Sequence, residues 1–255
     1  MITDYFQASF LAIVQGISEF IPVSSSAHLI ILSQFFSFSN QSIIFDVGLH
    51  LGSLIAIVFY FRNELLNLRN NKELLKLIII GSTPLVIIGY ILFYSGIINI
   101  FRNVEVIAWT TLIFGLLLYY ADKSKVSKNF KYDLNTKNIL IIGTIQTLSL
   151  IPGVSRSGVV ITIGRMLNFN REDSLKISFF LSIPALLGAS VLSIKDIINE
   201  SIHINFLLIF SIILSFLFSY LTIKYLLIYV QKFTLKIFVI YRIILSFIIF
   251  LIILN

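Results

Sequence analysis

The chain has 255 residues, of which 58% are hydrophobic and only 12% charged, and its mean hydropathy is +0.98. A soluble domain carries about 25% charged residues, so this composition excludes a globular protein free in water and points to a polytopic membrane protein. The net charge of +7 does not signal nucleic acid, because the basic residues sit in short loops between apolar runs; the lack of cysteine removes disulfide and thiolate chemistry.

The N-terminal segment lacks the Lys/Arg region and small-residue cleavage site of a signal peptide and has Asp4 instead, so the whole chain is read as mature protein. It stays apolar to about Phe20, meets Ile-Pro-Val-Ser-Ser-Ser, and resumes as an apolar run ending near Phe36. That second run makes roughly 15–20 Å of helix, too short to cross about 30 Å of hydrocarbon. The pattern predicts a helical hairpin that enters the membrane and returns to the same side. Three full spans are expected next, at 43–61, 77–96 and 104–121. A second broken segment begins near Asn138, meets Ile-Pro-Gly-Val-Ser-Arg-Ser-Gly and ends near Leu167. Spans at 174–194, 204–224 and 237–254 complete the chain. Lipid cannot satisfy the backbone groups that a mid-membrane break exposes, so both turns should be buried in protein or line a wet cavity.

The two halves also match each other. At an offset of 131 (146 less 15), Gln15 falls on Gln146, Ser18 on Ser149, Val23 on Val154, Ser24 on Ser155 and Ser26 on Ser157, while Ser25 falls on Arg156. Each half is a hairpin plus three spans, and three is odd, so the second copy should enter the membrane upside down. The expected fold is therefore all-α, with six transmembrane helices and two re-entrant hairpins in an inverted-topology repeat. It forms a single membrane domain over 1–255, with repeats at 1–122 and 136–255. Fifteen of the 19 Lys and Arg fall in loops on one side; only Arg102 and Lys195 fall on the other, and Arg156 and Arg242 lie within hairpin or span. The positive-inside rule puts the fifteen in the cytoplasm. Both termini and the mouth of the first hairpin then face outward.

Ionisable groups inside a membrane are costly and mark function. The first hairpin carries Glu19 and His28, with Gln15, Ser24, Ser25 and Ser26 around them; the second carries Arg156 between Ser155 and Ser157, after Gly153. Gln15 and Glu19 are four apart and share a helix face, and Ser25 and His28 are three apart on the next helix. Two helix N-termini and a guanidinium suit a phosphate. A carboxylate, a hydroxyl and an imidazole opposite them fit phosphoryl transfer. Each group has a plainer reading: a serine can simply cap or pack, Glu19 can pair with Arg156, and His28 can be a bonded core histidine. His50 and His203, near span ends, are read as structural, and Trp109, Tyr119 and Tyr120 as packing or interface anchors. Asp46 is ambiguous.

The segments QGISEFIPVSSSAH at 15–28 and PGVSRSG at 152–158, in that order, resemble the signatures of the bacitracin-resistance family of undecaprenyl-diphosphate phosphatases; FDVGLHLGSLIAI at 45–57 looks like that family's third span. The resemblance covers essentially the whole chain. It implies a bacterial plasma-membrane hydrolase that converts undecaprenyl diphosphate to the monophosphate, recycling the carrier for cell-wall polymers and conferring bacitracin resistance. It further implies Glu19, Ser25, His28 and Arg156 as catalytic residues, and a divalent cation, Mg²⁺ or Ca²⁺, on Glu19 and secondarily Gln15. Many members have Glu at the position of Gln15, and Ser26-Ala27 stands where the family has Thr-Gly.

The expected reaction has Arg156, Ser155, Ser157, Gly153, Ser24 and Ser26 holding phosphate oxygens, with Ser25 or a water attacking and His28 or Glu19 moving the proton. Expected partners are a polyprenyl diphosphate lipid and the membrane, with a homodimer left open. A polyprenyl-lipid flippase or transporter on the same repeat is the rival, since the architecture is a transporter's. The phosphatidic-acid phosphatase type is excluded, because no histidine follows Ser155-Arg156 before His203.

Overall fold

A computed structural model describes residues 2–35, 43–199 and 206–254. Twelve α-helices are present among these residues: α1 (Ile2–Ser18), α2 (Ser25–Phe35), α3 (Ile43–Tyr60), α4 (Arg62–Leu66), α5 (Lys72–Ser95), α6 (Val104–Asp122), α7 (Phe130–Asp133), α8 (Thr136–Gln146), α9 (Arg156–Met166), α10 (Arg171–Asn199), α11 (Phe206–Lys232) and α12 (Lys236–Leu254). His203 and the side chain of Lys195 lie outside the described residues.

Five helices, α5, α6, α10, α11 and α12, are each long and apolar enough to cross a bilayer. A sixth crossing comes from α3 only if its apolar part, Phe45–Tyr60, is joined to Arg62–Arg69 beyond a 74° bend. The helices overrun the apolar runs that announce them. α5 begins at Lys72, capped by the Asn71 side chain accepting from Leu74 N–H, and α11 continues through Lys224 to Lys232. Apolar length marks the buried part of a helix, and capping and propensity decide where the helix itself stops.

The offset of 131 reappears in the elements. α2, Ser25–Phe35, lands on Arg156–Met166, the bounds of α9. α6 lands within one residue of α12. α1 packs on α11 and α8 on α5, while α3 packs on α11 and α10 on α5. Small residues allow these approaches. Gly16 and Gly52 lie against the α11 backbone at Ser215 and Ile212, and Gly143 against that of Gly81. Ser215 Oγ donates to Leu49 O at 2.7 Å and Ser219 Oγ to Ser53 Oγ at 2.9 Å, the polar bonding that helices use where lipid gives no hydrophobic drive.

Two ends of the bundle are distinguishable. At one, Asp122 at the end of α6 binds Arg171 Nε (2.6 Å) at the start of α10 and Leu235 N–H (3.0 Å) just before α12; Arg165 of α9 reaches the carbonyls of Asp122 and Ser124 there. At the other, Trp109 near the start of α6 meets Phe250 near the end of α12, and Ile30 and Ile31 of α2 pack with Val104 and Leu245.

Candidate active site between the two turns

Both turns carry the same backbone signature. Ser24 has φ 81° and Ser155 φ 71°, a left-handed conformation that is uncommon for residues other than glycine and collects at functional sites. In each turn that serine faces the serine two residues on: Ser24 Oγ to Ser26 Oγ at 3.3 Å, Ser155 Oγ to Ser157 Oγ at 3.2 Å. Ser155 also caps α9 by accepting from Gly158 N–H at 3.1 Å. Gly153 takes φ 90°, and a side chain there would strike Thr110 and the carbonyl of Ile107, so the second turn needs glycine on both counts.

Breaking two helices leaves carbonyls without helical partners, and side chains reach several of them. Ser157 Oγ donates to Ile21 O (2.8 Å) and Thr110 Oγ1 to Pro152 O (2.6 Å). Arg242, from α12, reaches more. Its guanidinium donates to Pro22 O (3.3 Å) of the first turn, Gly153 O (2.8 Å) and Val154 O (3.1 Å) of the second, and Thr111 O (3.1 Å) and Thr110 O (3.4 Å) of α6. Arg242 is fully buried and spends its five-donor fork on backbone. It ties the two turns to each other and to α6.

The candidate side chains converge on Glu19, which is 7% exposed. Its Oε1 pairs with Arg156 at 2.8 Å across 137 positions of sequence. Its Oε2 accepts from Ser25 Oγ at 2.8 Å and from Gln15 Nε2 at 2.9 Å, and lies 3.5 Å from His50 Nδ1. Gln15 Nε2 also lies 2.8 Å from that Nδ1. The carboxylate thus joins a residue from each turn to α1 and α3.

A cavity of about 180 Å³ opens over this cluster. Of the residues singled out in the sequence, Glu19, Ser24, Ser25, Ser26, Ser155 and Arg156 line it. Gly153 and Ser157 instead serve the turns: Gly153 gives its carbonyl to Arg242, and Ser157 holds Ile21. Gln15 and Gln146, paired by the repeat, are both fully buried. Gln15 is anchored to Glu19, whereas neither amide atom of Gln146 has a hydrogen-bond partner among the described residues.

His28 stands apart from the cluster. Its Nδ1 lies 2.6 Å from the Ser24 carbonyl and therefore carries the proton in the neutral ring, and its Nε2 lies 2.5 Å from the Tyr241 hydroxyl, on whose ring it stacks. The histidine beside Glu19 is His50, which the sequence reading treated as structural. Position near a span end hid it; the signal available was a third ionisable group within an apolar run. Arg242 was visible in the same way, as a charge in a span.

Among the described residues no cluster of three or more His, Cys, Asp and Glu forms a metal cage. A hard cation takes oxygen ligands and accepts one or two from protein when phosphates supply the others. Gln15 Oε1 is buried without a hydrogen-bond partner, beside the Glu19 carboxylate. Of the two, Glu19 lines the cavity and Gln15 does not, so Glu19 is the residue that fits a cation beside a bound diphosphate, and the pair does not fit one held by protein alone.

Comparison with known proteins matches residues 8–248 to a family described as "Bacitracin resistance protein BacA". The undecaprenyl-diphosphatase of Pelagibacter ubique (strain HTCC1062) is 57% identical over 256 residues, covering 100% of both chains. The protein of the same name from Elusimicrobium minutum (strain Pei191) is 41% identical over 251 residues, 95% of each.

Proposed function

The chain belongs to the bacitracin resistance protein BacA family, and from that premise we propose a reading of its site. The protein is an undecaprenyl-diphosphatase, a membrane hydrolase that converts undecaprenyl diphosphate to undecaprenyl phosphate and inorganic phosphate. It serves cell-wall synthesis and bacitracin resistance, in keeping with the family's name. The observation that carries the site reading is the Glu19–Arg156 pair, in which a carboxylate from one turn and a guanidinium from the other meet in one cavity.

Arg156 and the first N–H groups of α9 receive the terminal phosphate, with Ser155, Ser24 and Ser26 on the same wall. Ser25 attacks phosphorus and its proton passes to Glu19 Oε2, the atom it already bonds at 2.8 Å. The phosphorus–bridging oxygen bond breaks and the electron pair leaves with the lipid monophosphate. Water then cleaves the phosphoserine, and Glu19 returns the proton to Ser25. This bond favours Glu19 over His28 as the proton carrier; His28 orients the start of α2 through Ser24 and Tyr241. Glu19 would hold a Mg²⁺ or Ca²⁺ shared with the diphosphate, and such an ion would offset phosphate charge.

The inverted repeat places the two hairpins on opposite sides of the membrane. The start of α1 lies by the start of α11, where the Tyr5 ring meets Phe206 at a tilt and Phe210 edge-on, and α2 runs toward the start of α6. α9 runs the other way, to the end where Arg165 meets Asp122. These contacts support opposite entry, and the loop charges support a site opening outward in the plasma membrane.

Phosphate release from undecaprenyl diphosphate by the purified protein in detergent tests the activity, and Ser25→Ala tests the attack. A nucleophilic Ser25 predicts a loss of at least ~100-fold in that variant. Retained turnover would assign the attack to water.

A further inference from the structure

The lining of the cavity above Glu19 combines two chemistries. Its polar members are Ser24, Ser25, Ser26, His50, Ser149 and Ser155 around the Glu19–Arg156 pair. Its apolar members are Leu85 of α5, Leu150 just before the second turn, and Ala185, Leu186 and Ala189 of α10. Val86, Leu148 and Leu187, next to those lining residues or two positions away, are 48%, 41% and 48% exposed on the outer surface of the bundle. In a membrane-embedded protein that surface faces lipid. The α10 part is also low in relief: between Ala185 and Ala189 stands Gly188, where an added Cβ would meet nothing within 4 Å. Each flanking helix carries a proline directly before its lining residue, Pro84 in α5 and Pro184 in α10, which interrupts the helical ladder at that level.

A second cavity, of about 280 Å³, shares Ser26, His50 and Ala189 with the first and continues past Asp46, Arg102 and Ser190. The site thus has one extension toward Arg102 and another toward the apolar seam where α10 packs on α5. The substrate is divided in the same way. Its diphosphate belongs in water, whereas pulling its hydrocarbon out of lipid into water is costly for every CH₂ exposed. A lipid-borne chain therefore has to stay in the hydrocarbon while its head reaches Arg156.

We propose that the prenyl chain leaves the phosphate cavity sideways between α5 and α10, across Leu85, Leu150, Ala185, Leu186 and Ala189, and that this slot is the chain-recognition subsite. The proposal rests on the phosphatase reading. The repeat gives it independent support, because Leu150 occupies the position equivalent to Glu19 (150 less 131). One half thus places its acid, and the other an apolar side chain, in the lining of one cavity.

The test is photolabelling of the wild-type protein in detergent with a farnesyl diphosphate analogue bearing a benzophenone at the end remote from phosphate, followed by mapping of the labelled peptides. Label on α5 near Leu85 and on α10 near Ala185–Ala189 is expected. Label confined to α2 and α3 around Ile30 and Val47, which line the second cavity, overturns the proposal. As a second measurement, Ala185→Trp, which fills the slot, should lower turnover of undecaprenyl diphosphate at least tenfold more than that of dimethylallyl diphosphate, whose single isoprene unit barely leaves the cavity. An equal loss on both substrates, or none on either, contradicts it. Phosphate release by the wild type is read alongside. If release is intact and the label lies elsewhere, only the slot falls; if no phosphate is released from either substrate, the phosphatase reading falls and the slot with it.

Discussion

The turn at 19–24 and the turn at 150–155 share their backbone and divide their chemistry. Each has a left-handed serine, a Ser-x-Ser contact and a helix starting one residue later. Where the first offers Ser25, the second has Arg156; where the first has Glu19, the second has Leu150; and the residue equivalent to His50 is Leu181. A duplicated hairpin brings two helix N-termini to one place without further design. On the proposed reading, differentiation of the copies then lets one hold an anion and the other attack it. The second copy is also the more firmly built in, with Thr110, Thr111 and Arg242 around Pro152, Gly153 and Val154.

The sharpest way to break this division of labour is to remove its two poles. Glu19→Ala and Arg156→Ala should each lower phosphate release about 100- to 1,000-fold, the cost of losing one preorganised electrostatic contact at a transition state. Next in size is Arg242→Met, which strips donors from carbonyls of both turns. With about 1–3 kcal/mol for a buried group left unsatisfied, thermal unfolding in detergent should show a loss of at least ~2 kcal/mol. Unchanged stability would mean that the turns hold together without their clamp. His28→Asn sharpens the comparison within the first turn, since the ring is spent on Ser24 and Tyr241; turnover should fall less than tenfold, and a loss matching that of Glu19→Ala would return His28 to the chemistry. Smallest is Tyr241→Phe, which deletes one hydrogen bond worth about 1 kcal/mol and should cost no more than ~5-fold in turnover.

Much of this was legible in the sequence because it is local. Proline followed by serines in an apolar run has to end one helix and start another, and α2 and α9 begin at Ser25 and Arg156, inside those motifs. The offset of 131 was legible for the same reason, since it repeats a local pattern. What escaped depends on contacts distant in sequence. The pairing of Glu19 with Arg156 was one reading among several until the two turns were in place. His50 was recognisable as an ionisable group in an apolar span, but not as facing Glu19, because its helical register against α1 is set by packing on α11. Arg242 was recognisable as a costly charge, but its acceptors are backbone carbonyls, which no residue type announces. The bend after Tyr60 likewise falls where hydropathy simply ends.

The central claim is that one site is assembled from both turns, with Glu19 and Arg156 acting as a unit. The most direct measurement is phosphate release from undecaprenyl diphosphate by the purified wild-type protein, Glu19→Ala, Arg156→Ala and the double variant. The account predicts release by the wild type, a loss of at least ~100-fold in each single variant, and a double variant no more than about threefold worse than either. Losses that multiply in the double variant would show two independent contributions, and a wild type that moves the lipid across the membrane without releasing phosphate would contradict the account outright.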